Sequence, residues 1–463
     1  MKSGRLEARG LFRRYLLKCG FAAAILTLVS ASAGPGRSIA KAESAAFRTT
    51  VAYLVQFYPL WFTHFQSLFA SHNRLVGPDR ISPLYQVVVA INDDTLYAST
   101  FLLLEAEPVI LTIPATTTTY SILNLDLYGN ILDLGIPSAT PGTYGLFGPD
   151  FRGQLPRGIT RVRMPLNTSV LIFRGDKFSP TGQSLIREAE VFRKRLKMQT
   201  LSNYLQDPSG GGARILPELA FSIPVKTIAD ELIRLRPITF LEQLQTAVAN
   251  SDIPPLSPAA QALSDRFDIL FAANDIDPGQ FRDGARAAHQ MILDNYLNNT
   301  GRTNWITFTN IGAWGRQVLD RASITEFIQY GNGHKTAAYF HAFRDGQSRA
   351  LDGTRRRGYI LTFRKRQIPE AKRFWSLTAY TPNSIELVRN SARKYVVASY
   401  TPGLQFNSNG SVSIYMTTEK PVGIPMANWL PVPEGPFNIM LRVYGPKGSV
   451  AAKTYVPPAI QRR

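Results

Sequence analysis

Between Tyr85 and Tyr128 the sequence reads YQVVVAINDDTLYASTFLLLEAEPVILTIPATTTTYSILNLDLY, a pattern that calls for the centre of a β-sandwich or barrel. β-Branched and aromatic residues fill Val87 to Val89, Leu96 to Leu104 and Val109 to Ile113, and clusters of Asn, Asp, Pro or Thr bound each run. In the most regular segment, Ser121, Leu123, Leu125 and Leu127 share one face of a strand, while Tyr120, Ile122, Asn124 and Asp126 share the other. One face is therefore expected in a core and the other to be partly polar. Asn124 and Asp126, beside Tyr120 and Tyr128, are candidates to line a binding cleft, and Asn92 and Asp94 of the turn before Tyr97 could join them. The simpler reading is that Asn and Asp here cap turns through the local backbone.

The N-terminus carries an address. Six of the first eighteen residues are Lys or Arg, an apolar run from Cys19 to Ala33 follows, and Ala40-Lys41-Ala42 forms a small-residue site before Glu43. That run falls short of the roughly 20 residues needed to span a bilayer. Residues 1–42 are thus expected to be a cleavable signal peptide, leaving no permanent transmembrane anchor. Arg13-Arg14-Tyr15-Leu16-Leu17-Lys18 is similar to a twin-arginine export motif, although Phe12 stands where Ser or Thr is usual. An ordinary secretory leader with adjacent arginines is the alternative. Export places the mature chain in the periplasm or cell envelope. Without residues 1–42 the net charge falls from +19 to +12, and the single cysteine, Cys19, is lost. The mature chain would then have no disulfide and no thiolate chemistry.

Residues 45 to 70 place apolar groups all round a helical wheel, with Pro59 set to kink or break the run. Such a helix has to be buried, and His64 within it reads as a core histidine. From about Thr181 to Phe343 the periodicity is again helical, in Ser184 to Gln199, Val225 to Leu235, Ile238 to Ala249, Pro258 to Ala272 and Pro278 to Asn298. Asp320 to Phe343 reads as one more helix, or a pair broken at Gly331-Asn332-Gly333. His334 and His341 would then lie two turns apart, too far to share a metal, and no metal or cofactor is expected.

Residues 349 to 374 hold nine basic and two acidic side chains. Arg355, Arg356, Arg357, Arg364, Lys365 and Arg366 are candidates to meet an anionic lipid, polysaccharide or cell-wall polymer. No nucleic-acid motif accompanies them. A solvated, charge-protected strand pair is the plainer account. Beyond it the chain partly echoes itself: Phe374-Trp375-Ser376-Leu377-Thr378-Ala379-Tyr380-Thr381 is similar in order to the segment starting Tyr120-Ser121, so both are expected to be the equivalent strand of two units. Asn428-Trp429-Leu430-Pro431-Val432-Pro433-Glu434-Gly435-Pro436 reads as a rigid loop, its prolines fixing the backbone.

Asn92 to Ser99, Tyr120 to Leu127, Gly148-Pro149 to Pro156 and Asn167 to Arg174 closely resemble the bacterial family known as domain of unknown function 1254. Leu351-Asp352-Gly353, Tyr359 to Phe363, Phe374 to Pro382, Asn407 to Tyr415, Asn428 to Pro436 and Leu441 to Pro446 resemble its usual companion, domain of unknown function 1214. The resemblance covers most of 83–200 and 345–448. It implies an exported cell-envelope protein with two antiparallel β-sandwich domains, immunoglobulin-like then jelly-roll-like, joined by helices. It implies no reaction. Its signature positions here are Asn92, Asp94, Thr95, Tyr97, Trp375, Asn428, Trp429, Pro431 and Arg442. Thr381 follows Tyr380 where the family tends to have Asp.

The expected class is therefore α+β, mainly β: signal 1–42, N-terminal helical segment 43–82, first sandwich 83–180, helical region 181–345 and C-terminal domain 346–463. There is no G-x-S-x-G, H-E-x-x-H, P-loop or G-x-G-x-x-G opening a βαβ unit. Two functions remain. One is binding of an anionic or carbohydrate-like ligand, with Asn92, Asp94, Tyr97, Asn124, Asp126, Trp375, Tyr380, Asn428, Trp429 and Arg442 as candidate contacts. The other is a hydrolase or lyase using paired carboxylates, with Asp94 and Asp126 the plausible pair if about 5 to 9 Å separates them. Changing Arg13 and Arg14 together to lysine is expected to strand the precursor in the cytoplasm, as read by cell fractionation; normal export of that variant would place the chain on the ordinary secretory route.

Overall fold

The computed structural model describes residues 44–250 and 253–463, so the expected signal peptide lies outside the described residues. Helix α1 (Ala45–Ser67) opens the described chain, capped by the Ser44 hydroxyl, which accepts from the Phe47 N–H at 3.1 Å. It runs unbroken through Pro59, and fifteen of its 23 residues are buried, as an all-round apolar helix requires. The Thr63 hydroxyl donates to the Pro59 carbonyl at 3.1 Å and, at 2.8 Å, to the Leu127 carbonyl outside the helix. Among the described residues no helix is long and apolar enough to cross a membrane.

The chain then lays down β1 (Val76–Pro78), β2 (Thr95–Leu103), β3 (Val109–Ile113), β4 (Tyr120–Leu125), β5 (Gly142–Phe147), β6 (Thr160–Arg163) and β7 (Thr168–Asp176). Helix α2 (Ile186–Arg195), β8 (Lys197–Thr200), α3 (Leu201–Gln206) and β9 (Arg214–Leu216) follow. A helical stretch comes next: α4 (Val225–Leu235), α5 (Pro237–Val248), α6 (Pro258–Ala272) and α7 (Pro278–Leu297), then the two-residue β10 (Trp305–Ile306) and α8 (Val318–Phe327). The remainder is β11 (Ala337–Ala342), β12 (Tyr359–Phe363), β13 (Ala371–Tyr380), β14 (Val396–Ala398), β15 (Val412–Thr417), β16 (Trp429–Pro431), β17 (Asn438–Pro446), the single turn α9 (Gly448–Ala451) and β18 (Gln461–Arg462).

These strands form four sheets, ordered β4-β7-β2-β1-β9, β6-β5-β3-β8, β10-β11-β17-β13-β14 and β16-β15-β12-β18. The second pair of sheets repeats the first. With β9 and β14 set aside, β1 to β8 correspond in order to β10, β11, β12, β13, β15, β16, β17 and β18. Even the parallel pairing of β5 with β6 recurs in β15 with β16, among otherwise antiparallel neighbours. A helix precedes the first strand of each set, and another precedes the last. The expected equivalence of the Tyr120 and Phe374 segments is borne out, since they are β4 and β13.

Each pair of sheets closes on a core of its own, one around Leu102, Leu111, Leu146 and Phe173, the other around Leu361, Leu377, Ile414 and Leu441. The opposite faces of the two five-stranded sheets are buried as well. Tyr97, Phe101, Leu125 and Ile172 from one, and Tyr339, Tyr380, Met440 and Tyr444 from the other, share a third core with α1 and α4–α8. Both faces of β4 are therefore covered, and the expectation of a partly polar outer face gives way to burial on both sides.

Among the described residues helix accounts for 29% and strand for 25%, which corrects the expectation of a mainly β chain. The helices form a full layer between the sandwiches rather than a linker. Two expected helices also end early. The chain is helical only to Arg195 before β8, and Val318–Phe327 is followed by strand β11. Every residue of Ala337–Ala342 is buried, so the segment has no alternation to separate it from a buried helix. His334 and His341 accordingly share no helix face. His341 sits on β11, hydrogen-bonded to Tyr296 at 2.8 Å and to Asn438 at 2.7 Å, and burial lowers its pKa to about 3.

The helical layer is pinned by a buried ionic cluster. Lys226 and Asp230 of α4, His289 of α7 and Glu326 of α8 meet the Tyr58 hydroxyl of α1, which donates to Glu326 at 2.5 Å. The Lys226 ammonium bonds both Glu326 and Asp230. Burial alone would raise the pKa of Glu326, but Lys226 and His289 outweigh it and hold this carboxyl well below the usual range. Burial likewise opposes protonation of His289, yet Asp230 and Glu326, at 3.4 and 3.6 Å, raise its pKa to about 9. Because that folded pKa lies above an unfolded value of about 6.5, the His289 contribution to stability is complete below about pH 6.5 and disappears as pH rises through about 9. Chemical denaturation should show this alkaline loss, and His289→Gln should flatten it. Lys226→Met, which strands a buried carboxylate, should cost about 3 to 5 kcal/mol.

Candidate functional site

Where the two sandwiches and the helical layer meet there is a cavity of about 190 Å³. Strand alternation dictates which residues reach it. Tyr97, Ser99 and Phe101 project from one face of β2 and Val170, Ile172 and Arg174 from the same face of β7, while their neighbours Ala98, Leu102, Leu171 and Phe173 fill the sandwich core. From the second sandwich come Tyr339 of β11 and Arg442 of β17, and from the connecting loops Val87 to Asn92 and Gln329 to Asn332. β1 crosses directly behind Tyr97: a Cβ at Gly77 would lie 2.0 Å from the Tyr97 carbonyl oxygen, so only glycine permits this approach.

The polar groups repeat with the fold. Tyr97 stands opposite Arg174 across β2 and β7, and Arg174 stands opposite Ser121 of β4. Tyr339 stands opposite Arg442 across β11 and β17, and Arg442 stands opposite Ser376 of β13. An asparagine serves each tyrosine: Asn92 Nδ2 donates to the Tyr97 hydroxyl at 2.6 Å, and Asn332 donates to the Tyr339 hydroxyl through its backbone N–H at 2.9 Å and Nδ2 at 3.0 Å. Two residues before each asparagine the backbone turns left-handed, at Ala90 (φ 55°) and Tyr330 (φ 54°).

Each arginine reaches into the other half. Arg174 donates through Nη2 to the Tyr330 carbonyl and through Nη1 to Asn332 Oδ1, both at 2.9 Å. Arg442 Nη2 donates to the Ala90 carbonyl at 2.5 Å. Arg174 Nε and Arg442 Nη1 are buried without a hydrogen-bond partner. No Asp or Glu lines the cavity. Burial would lower the pKa of Arg442, but Tyr380, Tyr444 and the nearby Asp94 outweigh it and keep the guanidinium charged. Burial raises the Tyr97 pKa against the opposing pull of Arg174, Thr95 and Arg442, so the phenol stays protonated while feeling both cations. Gln66 and Gln329 bond each other at 2.9 Å, and the Tyr330 hydroxyl donates to Gln66, so these amides are already engaged.

Of the residues singled out in the sequence, Asn92, Tyr97 and Arg442 line this cavity. Tyr380 borders it, its hydroxyl donating to the Ile91 carbonyl at 2.6 Å. Asp94 does not line it. Its carboxylate accepts from Ser376 Oγ at 2.7 Å and the Tyr400 hydroxyl at 2.6 Å, tying the first sandwich to the second. Asp176 with Arg373 strengthens that seam, while Asp93 pairs with Lys177 inside the first half. Asp126 caps its own turn, accepting from the N–H groups of Tyr128 at 2.9 Å and Asn130 at 2.8 Å. Asn124 is buried on the sandwich side of β4, with neither amide atom bonded. The carboxylates Asp94 and Asp126 thus serve separate structural tasks.

Trp375 packs on Phe363 in the C-terminal core, with ring centres 5.4 Å apart. Trp429 Nε1 donates to Thr417 Oγ1 at 3.0 Å, and Asn428 Nδ2 bonds the Gln405 and Ser413 carbonyls at 2.9 and 3.0 Å, so the Asn-Trp-Leu-Pro loop holds β16 against β15. The basic cluster is split by β12. Arg355, Arg356 and Arg357 precede that five-residue strand and Arg364, Lys365 and Arg366 follow it, roughly 16 Å away. All but Arg355 are exposed.

Sequence reasoning missed Arg174, Asn332 and Tyr339 as a set, and named Arg174 only as the end of a segment. The available signal was a lone arginine inside an otherwise apolar strand, in Thr168–Asp176 and again in Asn438–Pro446. A charge there has to be bonded. Among the described residues one group combines metal-ligand types, Asp230, His289 and Glu326, whose ligand atoms lie within 4.8 Å of one another. The Lys226 ammonium already bonds both of its carboxylates.

Comparisons agree with this architecture. Residues 69–200 match the family described as protein of unknown function (DUF1254), and residues 336–448 match protein of unknown function (DUF1214). Among solved structures, the VPA0106 protein from Vibrio parahaemolyticus is similar at 18% identity and a TM-score of 0.59, over 90% of this chain and 100% of that one. An uncharacterized protein from Burkholderia cenocepacia aligns at 15% identity and a TM-score of 0.41, over 90% of this chain and 94% of its own. A comparison with curated proteins finds no match. The chain belongs to the family in which DUF1254 and DUF1214 stand in tandem.

Proposed function

We propose that this protein binds a small organic anion in the cavity between its two sandwiches. The observation that carries this reading is the pair of buried arginines, one from each half, that line a carboxylate-free cavity and each keep one guanidinium nitrogen unbonded. An unbonded buried donor costs about 1 to 3 kcal/mol and more when it is charged, so its presence on both arginines that line one cavity supports an acceptor that joins them. The apolar remainder of the wall supports a ligand with a hydrophobic body. A hydrolase or lyase based on Asp94 and Asp126 has no such support, since neither lines the cavity and both have other bonding partners.

The export-like N-terminus supports a place for this binding in the periplasm or cell envelope. Exposed Arg356, Arg357, Arg364, Lys365 and Arg366 support contact with an anionic lipid or envelope polymer, in two patches rather than one. The common strand order supports one sandwich type repeated, rather than an immunoglobulin-like unit followed by a jelly-roll-like one.

Thermal unfolding of the mature protein against small organic acids and their uncharged amides is the test. The acids should raise the midpoint, by an amount equivalent to about 2.7 kcal/mol at one hundred times Kd, and the amides should not. Arg174→Gln and Arg442→Gln should each abolish the gain. Equal stabilisation by acid and amide, or an undiminished gain in folded arginine variants, would refute the reading.

A further inference from the structure

Resting on that reading, we infer the class of the anion: a monocarboxylate whose apolar part is about the size of one ring. The head group follows from counting donors. Arg174 Nε keeps one N–H unbonded and Arg442 Nη1 keeps two, both on side chains that line the cavity. The Tyr97 and Tyr339 oxygens accept from Asn92 and Asn332, which leaves both phenol protons as donors. Three guanidinium N–H groups and two phenol O–H groups make five donors, and a carboxylate, with about four lone-pair sites in one plane, engages most of them. Arg174 and Arg442 line the same cavity, and the Arg174 guanidinium lies 5.4 Å from the centre of the Tyr97 ring.

The body follows from the walls and the volume. Val87, Val89, Phe101, Ile172 and Ile328 surround the remaining space. An engineered apolar cavity of about 150 Å³ accepts benzene, so a space of this size takes a ring or a short branched chain and little more. Hydroxyls on the body would find few side-chain partners beyond Ser99, because Gln66, Gln329 and the Tyr330 hydroxyl are bonded to one another. That argues against sugar acids. A phosphate dianion would bring more acceptors and, since desolvation rises with the square of the charge, a far larger desolvation cost into an apolar chamber.

Isothermal titration of the mature protein with benzoate, phenylacetate, benzyl alcohol, glucuronate and inorganic phosphate separates the outcomes. Benzoate or phenylacetate should bind at least tenfold more tightly than each of the other three. Ile172→Ala, which enlarges the apolar end without touching a donor, should shift preference toward a bulkier acid such as 4-tert-butylbenzoate. If phosphate binds as well as the aromatic acids the carboxylate head group is wrong, and if glucuronate does the apolar body is wrong; in either case, loss of that binding in Arg174→Gln leaves anion binding in the cavity standing. If benzyl alcohol equals benzoate, or no anion binds, both readings fall.

Discussion

Arg174 and Arg442 each leave their own strand to donate to the carbonyl of a left-handed residue in the opposite half of the molecule. A buried guanidinium costs too much to leave unbonded, and neither arginine has a carboxylate within ion-pair distance. Backbone carbonyls take its place. Those carbonyls point correctly only because Ala90 and Tyr330 adopt positive φ, a conformation that costs a residue with a side chain about 1 to 2 kcal/mol. The strain and the bonds it enables are made twice, in reciprocal positions. Neither half completes its own cation without the other.

This reciprocity explains why two sandwiches with separate cores behave as one structure. Their outer faces are apolar because each is covered by the same helical layer, whose central helix α1 is buried on nearly every side. The seam beside the cavity is polar, and its members are fully used. Asp94 takes two hydroxyls of the second half, and Asp176 takes Arg373. Beside these bonded groups of the seam, the two arginines that line the cavity each keep a guanidinium nitrogen unbonded.

Much of the architecture could be read from residue order. Alternation located β2, β3 and β4, the all-apolar 45–70 segment announced a buried helix, and the likeness of the Tyr120 and Phe374 segments pointed to a repeated unit. What escaped had physical causes. β11 is covered on both faces, so period-two alternation vanishes and Ala-Ala-Tyr-Phe-His-Ala is indistinguishable from buried helix. The site escaped for a related reason, because attention went to turn acids and exposed-looking aromatics. Asp126 caps its turn and Trp375 fills a core, as such residues usually do. Asn92, Tyr97 and Arg442 were found; their counterparts Asn332, Tyr339 and Arg174 become visible only when strand pairing places Tyr97 opposite Arg174 and Tyr339 opposite Arg442. That relation spans more than seventy residues in each half, and no local pattern encodes it.

Both halves are held to contribute an arginine to a single anion, and diffraction from crystals of the mature protein grown with 4-bromobenzoate reads this directly. The account places the carboxylate between Arg174 and Arg442, with the anomalous bromine peak in the apolar end near Ile172 and Phe101. A bromine peak elsewhere, or a carboxylate bound to one arginine with the other N–H still unbonded, would contradict it.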